Sequence, residues 1–233
     1  MRIAKYIAHS GYCSRREAEE LIYGHKVMIN DYLCVNPAIN VSESDVIHVE
    51  YKEIKLQSEI KLWKFYKPAG VLTTSKDPQH RKTVFDLIPQ NMPRVMTIGR
   101  LDKESEGLLL LTNNGALSRY FELPKNKITR VYRVRVKGKV GMHQFNVLRQ
   151  GPKIGRINYA PMKVKVETSG LSNTWIRMEL IEGKNREIRK VCSNFGWRVS
   201  RLIRTDYGKF SLGTLKRGEI IDMSNDKYLK KLK

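Results

Sequence analysis

Gly99-Arg100-Leu101-Asp102-Lys103-Glu104-Ser105-Glu106-Gly107-Leu108-Leu109-Leu110-Leu111-Thr112-Asn113-Asn114-Gly115 is the segment from which the rest of the chain can be placed. An apolar strand stops at a carboxylate, a polar loop comes next, and a second strand runs through four leucines. Asn113-Asn114-Gly115 then turns into a helix over 116–121. Asp102 therefore sits on a loop held between two strands. A carboxylate in that position can be a nucleophile, a general base or only a hydrogen-bond acceptor for the loop, and spacing alone leaves all three open.

Upstream, Leu62 to Tyr66 reads as a strand that ends at the turn Lys67-Pro68-Ala69-Gly70, with a second strand over Val71 to Thr74. Thr83 to Pro89 reads as a short amphipathic turn closed by proline. Downstream, Arg130 to Lys137 alternates cleanly. Tyr132, Val134 and Val136 share one strand face and Arg133, Arg135 and Lys137 the other, which makes Tyr132 a core tyrosine by pattern alone. After a strand over Trp175 to Ile181, Glu182-Gly183-Lys184-Asn185-Arg186-Glu187-Ile188-Arg189-Lys190-Val191-Cys192 opens an amphipathic helix. Ile188, Val191, Cys192 and Phe195 form its apolar stripe. The glycine-led start carries four cations in its first turns, the composition of a phosphate site. Arg198, Arg201 and Arg204 then recur every third residue, a basic strip suited to a phosphate backbone.

The charge agrees with a polyanionic partner. Lys and Arg number 44 against 23 Asp and Glu, a net charge of +21 in 233 residues. It is unevenly placed: residues 1–59 hold 7 cations against 9 anions, leaving 37 against 14 for residues 60–233. That asymmetry, and the weakly patterned stretch 51–61, predict two domains, 1–59 with a linker and 60–233. The longest leucine run, Leu108 to Leu111, is far short of the roughly 20 apolar residues of a membrane helix. With Met1-Arg2 leading into no apolar signal core, a cytoplasmic protein without membrane contact is expected. Cys13, Cys34 and Cys192 form no C-x-x-C pair and read as small, half-buried thiols. The five histidines show no ligand spacing, so no metal is expected.

In the N-terminal unit, Ile3, Tyr6 and Ile7 mark one short helix and the capping box Ser14-Arg15-Arg16-Glu17 begins a second, which Gly24 ends. Short strands are read over 26–29, 33–35 and 46–49, the first two joined by a turn at Asn30-Asp31. A basic pair starting a short helix, with a Val-x-Ile-Asn strand after it, resembles the S4 RNA-binding domain. The resemblance implies RNA contact at Arg15 and Arg16, with Arg2 and Lys5 nearby. Glu17, Glu19 and Glu20 offset the local field, so this unit reads as a positioning arm.

The 99–115 segment resembles the motif of pseudouridine synthases that modify bacterial ribosomal RNA, the RsuA/RluB type, in which the aspartate of G-R-L-D is catalytic. That resemblance implies that Asp102 is the catalytic aspartate, flanked by Arg100 and Leu101, and that Tyr132 lies against the target uracil. It further implies that Arg189 pairs with the aspartate and that Ile188 packs beneath sugar and base, leaving Lys184 and Arg186 for phosphates. The fold it implies is α+β, a small S4-like α/β domain ahead of a largely antiparallel mixed sheet with a basic cleft and outer helices.

The expected function is isomerisation of uridine to pseudouridine in 23S rRNA, with the target base flipped out of a stem-loop. A 16S target and a non-catalytic ribosome-assembly factor are the alternatives, and a nucleoside hydrolase would have no use for so strong a positive field. No cofactor is implied, because the isomerisation has no net redox change. The expected partner is ribosomal RNA, free or in assembling particles, and the chain is expected to be a monomer.

Overall fold

A computed structural model describes residues 1–57, 59–226 and 229. The chain divides into two compact units. One comprises Met1–Lys61 with Pro89–Met96 and Thr112–Gly115; the other comprises Leu62–Ile88, Thr97–Leu111 and Ala116–Lys233.

The first unit begins with helices α1 (Ile3–His9) and α2 (Arg15–Tyr23). The capping box at α2 is formed: Glu17 N–H donates to Ser14 Oγ at 3.2 Å and Ser14 N–H to Glu17 Oε2 at 2.9 Å. Gly24 is the C-cap at φ −78°, and the left-handed residue after the helix is His25, at φ +57°. Strands β1 (Val27–Ile29), β2 (Tyr32–Leu33), β3 (Ile47–Val49) and β4 (Lys52–Ile54) form an antiparallel sheet in the order β2-β1-β3-β4. The β1–β2 turn puts Asn30 and Asp31 at φ +49° and +67°, the two positive values a type I′ hairpin requires. Strand β4 corrects the linker reading of 51–61. Its hairpin turns through Glu50 and Tyr51, both at positive φ without a glycine, so no turn signal marks it. Ile3, Ile7, Ala18, Ile22, Val27 and Ile47 are fully buried between helices and sheet.

The second unit is built on β5 (Leu62–Lys67), β6 (Met96–Ile98), β7 (Glu106–Thr112), α3 (Gly115–Glu122), β8 (Arg130–Lys137) and α4 (Met142–Gln150). A small ribbon, β9 (Lys153–Ile154) and β10 (Ile157–Asn158), precedes β11 (Lys163–Ser169), β12 (Asn173–Leu180), α5 (Glu187–Asn194), β13 (Val199–Tyr207), β14 (Phe210–Ser211) and β15 (Ile220–Asp222). The main sheet runs β11-β12-β8-β13-β7-β5-β15, with β14 on β13 and β6 on β7. Strands β13 and β7 are parallel, whereas β11–β12, β12–β8, β8–β13 and β5–β15 are antiparallel. The segment 71–74 is not a strand; it makes a single bridge, Leu72 to Thr83. Thr83 to Pro89 holds one turn of 3₁₀ helix, Phe85–Leu87.

Alternation explains the packing. Val134, Val136, Ile176, Met178 and Leu202 point to one face and pack against Phe145 and Leu148 of α4 and Ile188, Val191 and Cys192 of α5. Each such buried side chain contributes about 1.5–3 kcal/mol. Leu108 to Leu111 are all fully buried, the pattern of a strand covered on both faces. At the parallel pair, Gly107 (φ +105°) lies so close to β13 that a Cβ there would stand 2.3 Å from the Arg204 carbonyl oxygen.

Candidate active site

A cleft of about 830 Å³ opens in the second unit between the loop that enters β7 and the segment that leaves β12. Arg100, Leu101, Asp102, Tyr132, Lys184, Arg186, Ile188 and Arg189 all line it, so residues far apart in sequence meet there.

The Asp102 loop is anchored from beneath. Lys67, fully buried, donates from Nζ to the carbonyls of Pro68 (3.0 Å), Asp102 (3.2 Å), Lys103 (3.4 Å) and Ser105 (2.8 Å). Burial pushes its ammonium down to about 8, against the opposing fields of Asp102 and Glu104. Thr73 Oγ1 donates to the Leu101 carbonyl at 2.8 Å and accepts from the Leu101 N–H at 3.3 Å. The Gly70 N–H donates to the Lys103 carbonyl at 2.7 Å, and the Ser105 N–H closes the turn on the Asp102 carbonyl at 3.0 Å. With its backbone held this way, Asp102 presents a carboxylate that is 30% exposed to the cleft.

The opposite wall is the start of α5. Arg186, its N-cap, holds φ +50° and ψ +34°, a left-handed conformation that is unfavourable for arginine and common at functional sites. Its Nη1 lies 3.6 Å from Asp102 Oδ2 and 3.3 Å from Glu104 Oε2. The pairing expected of Arg189 is therefore made here by Arg186. Arg189 instead donates from Nη2 to the Glu104 carbonyl at 3.2 Å, and its buried Nε has no partner. The two arginines are three positions apart and the helix begins between them, so Arg186 reaches the carboxylates of Asp102 and Glu104 while Arg189 reaches the Glu104 carbonyl. Ile188 is buried at the base of the cleft.

Glu187, the first residue of α5, is 5% exposed. Its Oε2 accepts from the Lys184 N–H at 2.9 Å, while its buried Oε1 faces no donor. Burial, reinforced by the neighbouring Glu182, holds this carboxyl well above the usual range, so it carries a proton at neutral pH. Glu182 is pushed up by burial but more strongly down by Lys184 and by the Ala160 N–H, and stays ionised.

Tyr132 is half-buried, faces the cleft and packs on the edge of the core. Arg204, read from sequence as an RNA contact, is instead 2% exposed. Its Nε donates to the Leu108 carbonyl at 2.7 Å and its guanidinium lies 4.8 Å from the Tyr207 ring centroid. Residues three apart on a strand point to opposite faces, so Arg201 and Arg204 part company. Arg201 goes to the other face of the sheet and pairs with the buried Glu106, while Arg198 is exposed. Glu106 also accepts from Arg217 at 3.0 Å and Tyr66 at 3.2 Å. Burial pushes its carboxyl up, but Arg201 and Arg217 outweigh that and hold it below the usual range. In the first unit, Arg2, Arg15 and Arg16 are exposed and Lys5 is half-buried.

Lys67, Thr73 and Glu187 are not singled out by sequence reasoning. In sequence Lys67 only opens the turn Lys67-Pro68-Ala69-Gly70, and tertiary structure alone brings its ammonium to the carbonyls of the Asp102 loop.

A family described as RNA pseudouridylate synthase matches residues 61–194, and the S4 domain matches residues 1–47. The chain is 46% identical over 234 residues to an uncharacterised RNA pseudouridine synthase of Rickettsia typhi, covering 99% of this chain and 94% of that one. It is 36% identical over 233 residues to ribosomal large subunit pseudouridine synthase B of Buchnera aphidicola subsp. Acyrthosiphon pisum, covering 97% and 93%. The crystal structure of a pseudouridylate synthase shares the fold at TM-score 0.69 and 23% identity, over 99% of both chains. No helix among the described residues is long and apolar enough to cross a membrane. A matching family across most of the second unit, relatives aligned nearly end to end and a shared fold agree: the chain belongs to the RNA pseudouridylate synthase family and carries an S4 domain at its N-terminal end.

Proposed function

We propose that this chain isomerises a uridine of large-subunit ribosomal RNA to pseudouridine, with Asp102 as the catalytic residue. The observation that carries this reading is the placement of Asp102. Its part-exposed carboxylate stands in a cleft whose other walls are an aromatic ring, Tyr132, and a buried aliphatic side chain, Ile188, with guanidinium groups at the rim. A flat base fits between such walls, and cations suit its phosphates. The similarity to large subunit pseudouridine synthase B supports the choice of RNA.

The reaction breaks the N1–C1′ glycosidic bond, turns the uracil and joins C5 to C1′; the proton displaced from C5 is lost and N1 gains one. No electron acceptor or energy source is needed, and no cofactor is invoked. The carboxylate of Asp102 must be ionised to attack C1′ or to take a sugar proton, and Arg186 stands 3.6 Å from it. The substrate uridine is flipped from its stem-loop, with Tyr132 stacking on it. Arg100, Lys184, Arg186 and Arg198 hold the flanking backbone, and Arg189 holds the loop through the Glu104 carbonyl. Residues 1–59 act as the S4-type arm, through Arg2, Lys5, Arg15 and Arg16, and 60–233 as the catalytic domain. We place the monomer in the cytoplasm, where ribosomal RNA is modified.

Carbodiimide mapping of pseudouridine across 23S and 16S rRNA, incubated with wild type or with Asp102→Asn, tests this reading. A reverse-transcription stop in 23S rRNA with wild type only is expected. No stop on free RNA or on precursor particles, despite tight binding by both proteins, would turn the reading to an assembly factor.

A further inference from the structure

The sheet of the second unit has a second chemically distinctive face. Strands β11, β12, β8 and β13 send their apolar side chains toward α4 and α5. Their other face carries Lys163, Lys165, Trp175, Arg177, Arg133, Arg135, Lys137 and Arg201, of which Lys163, Lys165, Arg133 and Lys137 are exposed. None of these residues lines the catalytic cleft.

Register sets the cations in rows. Lys165 stands opposite Arg177, and Arg177 opposite Arg133. In the next row Trp175 stands opposite Arg135, and Arg135 opposite Arg201. Adjacent strands are about 4.8 Å apart. Like charges directly across a strand pair are destabilising, so these rows work against the stability of the isolated sheet. Three anions on the same face, Glu167, Glu179 and Glu106, answer seven cations: Glu167 bonds Arg133 at 2.6 Å, Glu179 bonds Arg177 at 3.2 Å, and the buried Glu106 holds Arg201.

At the centre lies a flat aromatic surface. Three guanidinium carbons surround the Trp175 ring, those of Arg133 at 4.8 Å, Arg201 at 5.9 Å and Arg135 at 6.0 Å from its centroid. Trp175 is half-buried, while Lys137, Lys163 and Lys165 around it are exposed. Planar cations layered on an indole offer stacking surface to bases, and surrounding lysines offer charge to phosphates. An acidic protein surface would be served by the lysines alone and would leave the indole unused.

We propose that this face is a second RNA-docking surface, separate from the catalytic cleft, which grips RNA outside the modified stem-loop. Such a surface would let the enzyme hold a large RNA while the cleft takes a single nucleotide from it; in this it rests on the pseudouridine synthase reading.

Indole fluorescence tests the proposal, because Trp63 and Trp197 are each only 5% exposed and Trp175 is the half-buried one. Titration of a 23S rRNA transcript into the full chain should quench the emission, and Trp175→Phe should abolish most of that quench. A second variant, Lys137→Ala/Lys163→Ala/Lys165→Ala, should lower the slope of log affinity against log salt by about 2 to 3. Its circular dichroism confirms that it is folded. A wild-type salt slope in the triple variant, or a quench that survives in Trp175→Phe, overturns the proposal. So does equal quenching by polyglutamate, which would mark the face as a general anion surface. Pseudouridine formation in the same samples reports separately on the catalytic reading.

Discussion

Arg186 Nη1 lies 3.6 Å from Asp102 Oδ2 across the cleft, joining the start of α5 to the loop that enters β7. Both partners are part-exposed, at 44% and 30%, and Arg186 also faces Glu104. Such a pair is weak in water and open to exchange with an RNA phosphate.

That geometry separates the two arginines kinetically. Arg186→Ala should weaken RNA binding, raising KM about tenfold, with a smaller effect on the single-turnover rate. Arg189→Ala removes the guanidinium under the Glu104 carbonyl and should lower the single-turnover rate about 10²-fold, in the range of a lost positioned donor. The reverse order would make Arg186, not Arg189, the arginine that positions the Asp102 loop.

The Lys67 ammonium gathers four carbonyls beneath the Asp102 loop. Lys67→Met keeps the volume and removes every donor. Buried unsatisfied acceptors cost about 1–3 kcal/mol each before relaxation, so a loss of about 3 kcal/mol is expected in urea unfolding. Activity should fall further than stability, since the loop carries Asp102.

Glu187 gives stability a pH dependence whose sign comes from its raised carboxyl. The native state holds this proton where the unfolded chain has released it. Its contribution is full below the ordinary carboxylate value and is lost as pH rises toward the native value. Wild type should therefore lose melting temperature between pH 5 and about 8 relative to Glu187→Gln, measured by thermal unfolding across that range. Parallel curves for the two proteins would rule out a buried proton on Glu187.

Tyr132 lines the cleft with its ring. Tyr132→Phe should bind a uridine stem-loop almost as wild type does, whereas Tyr132→Ala should lose about 1–3 kcal/mol of affinity, the contribution of one base stacked on an aromatic side chain. Fluorescence anisotropy of a labelled stem-loop measures both.

Local signals are legible in the sequence and long-range ones are not. The capping box of α2, the alternation of β8 and the amphipathic stripe of α5 all depend on neighbours a few residues apart, and the structure contains each. Strand β4 escapes because its hairpin uses Glu50 and Tyr51 where a glycine would have marked the turn. Arg204 misleads because a three-residue spacing suggests one basic strip, whereas a strand sends alternate residues to opposite faces. Lys67 and Glu187 act on groups or in environments assembled only by folding. The motif around Asp102 identifies the loop, but the arginine beside its carboxylate depends on where α5 begins.

The contact between Gly107 and the Arg204 backbone bears on how the cleft admits a nucleotide. Two backbones in such close contact leave no room for sliding, so the Asp102 loop and β13 form a fixed jaw. The opposing segment, Ile181 to Arg186, is largely exposed and ends in a left-handed arginine. On the proposed function, the Asp102 carboxylate rides on the fixed jaw, and the cations Lys184 and Arg186 lie on the exposed one.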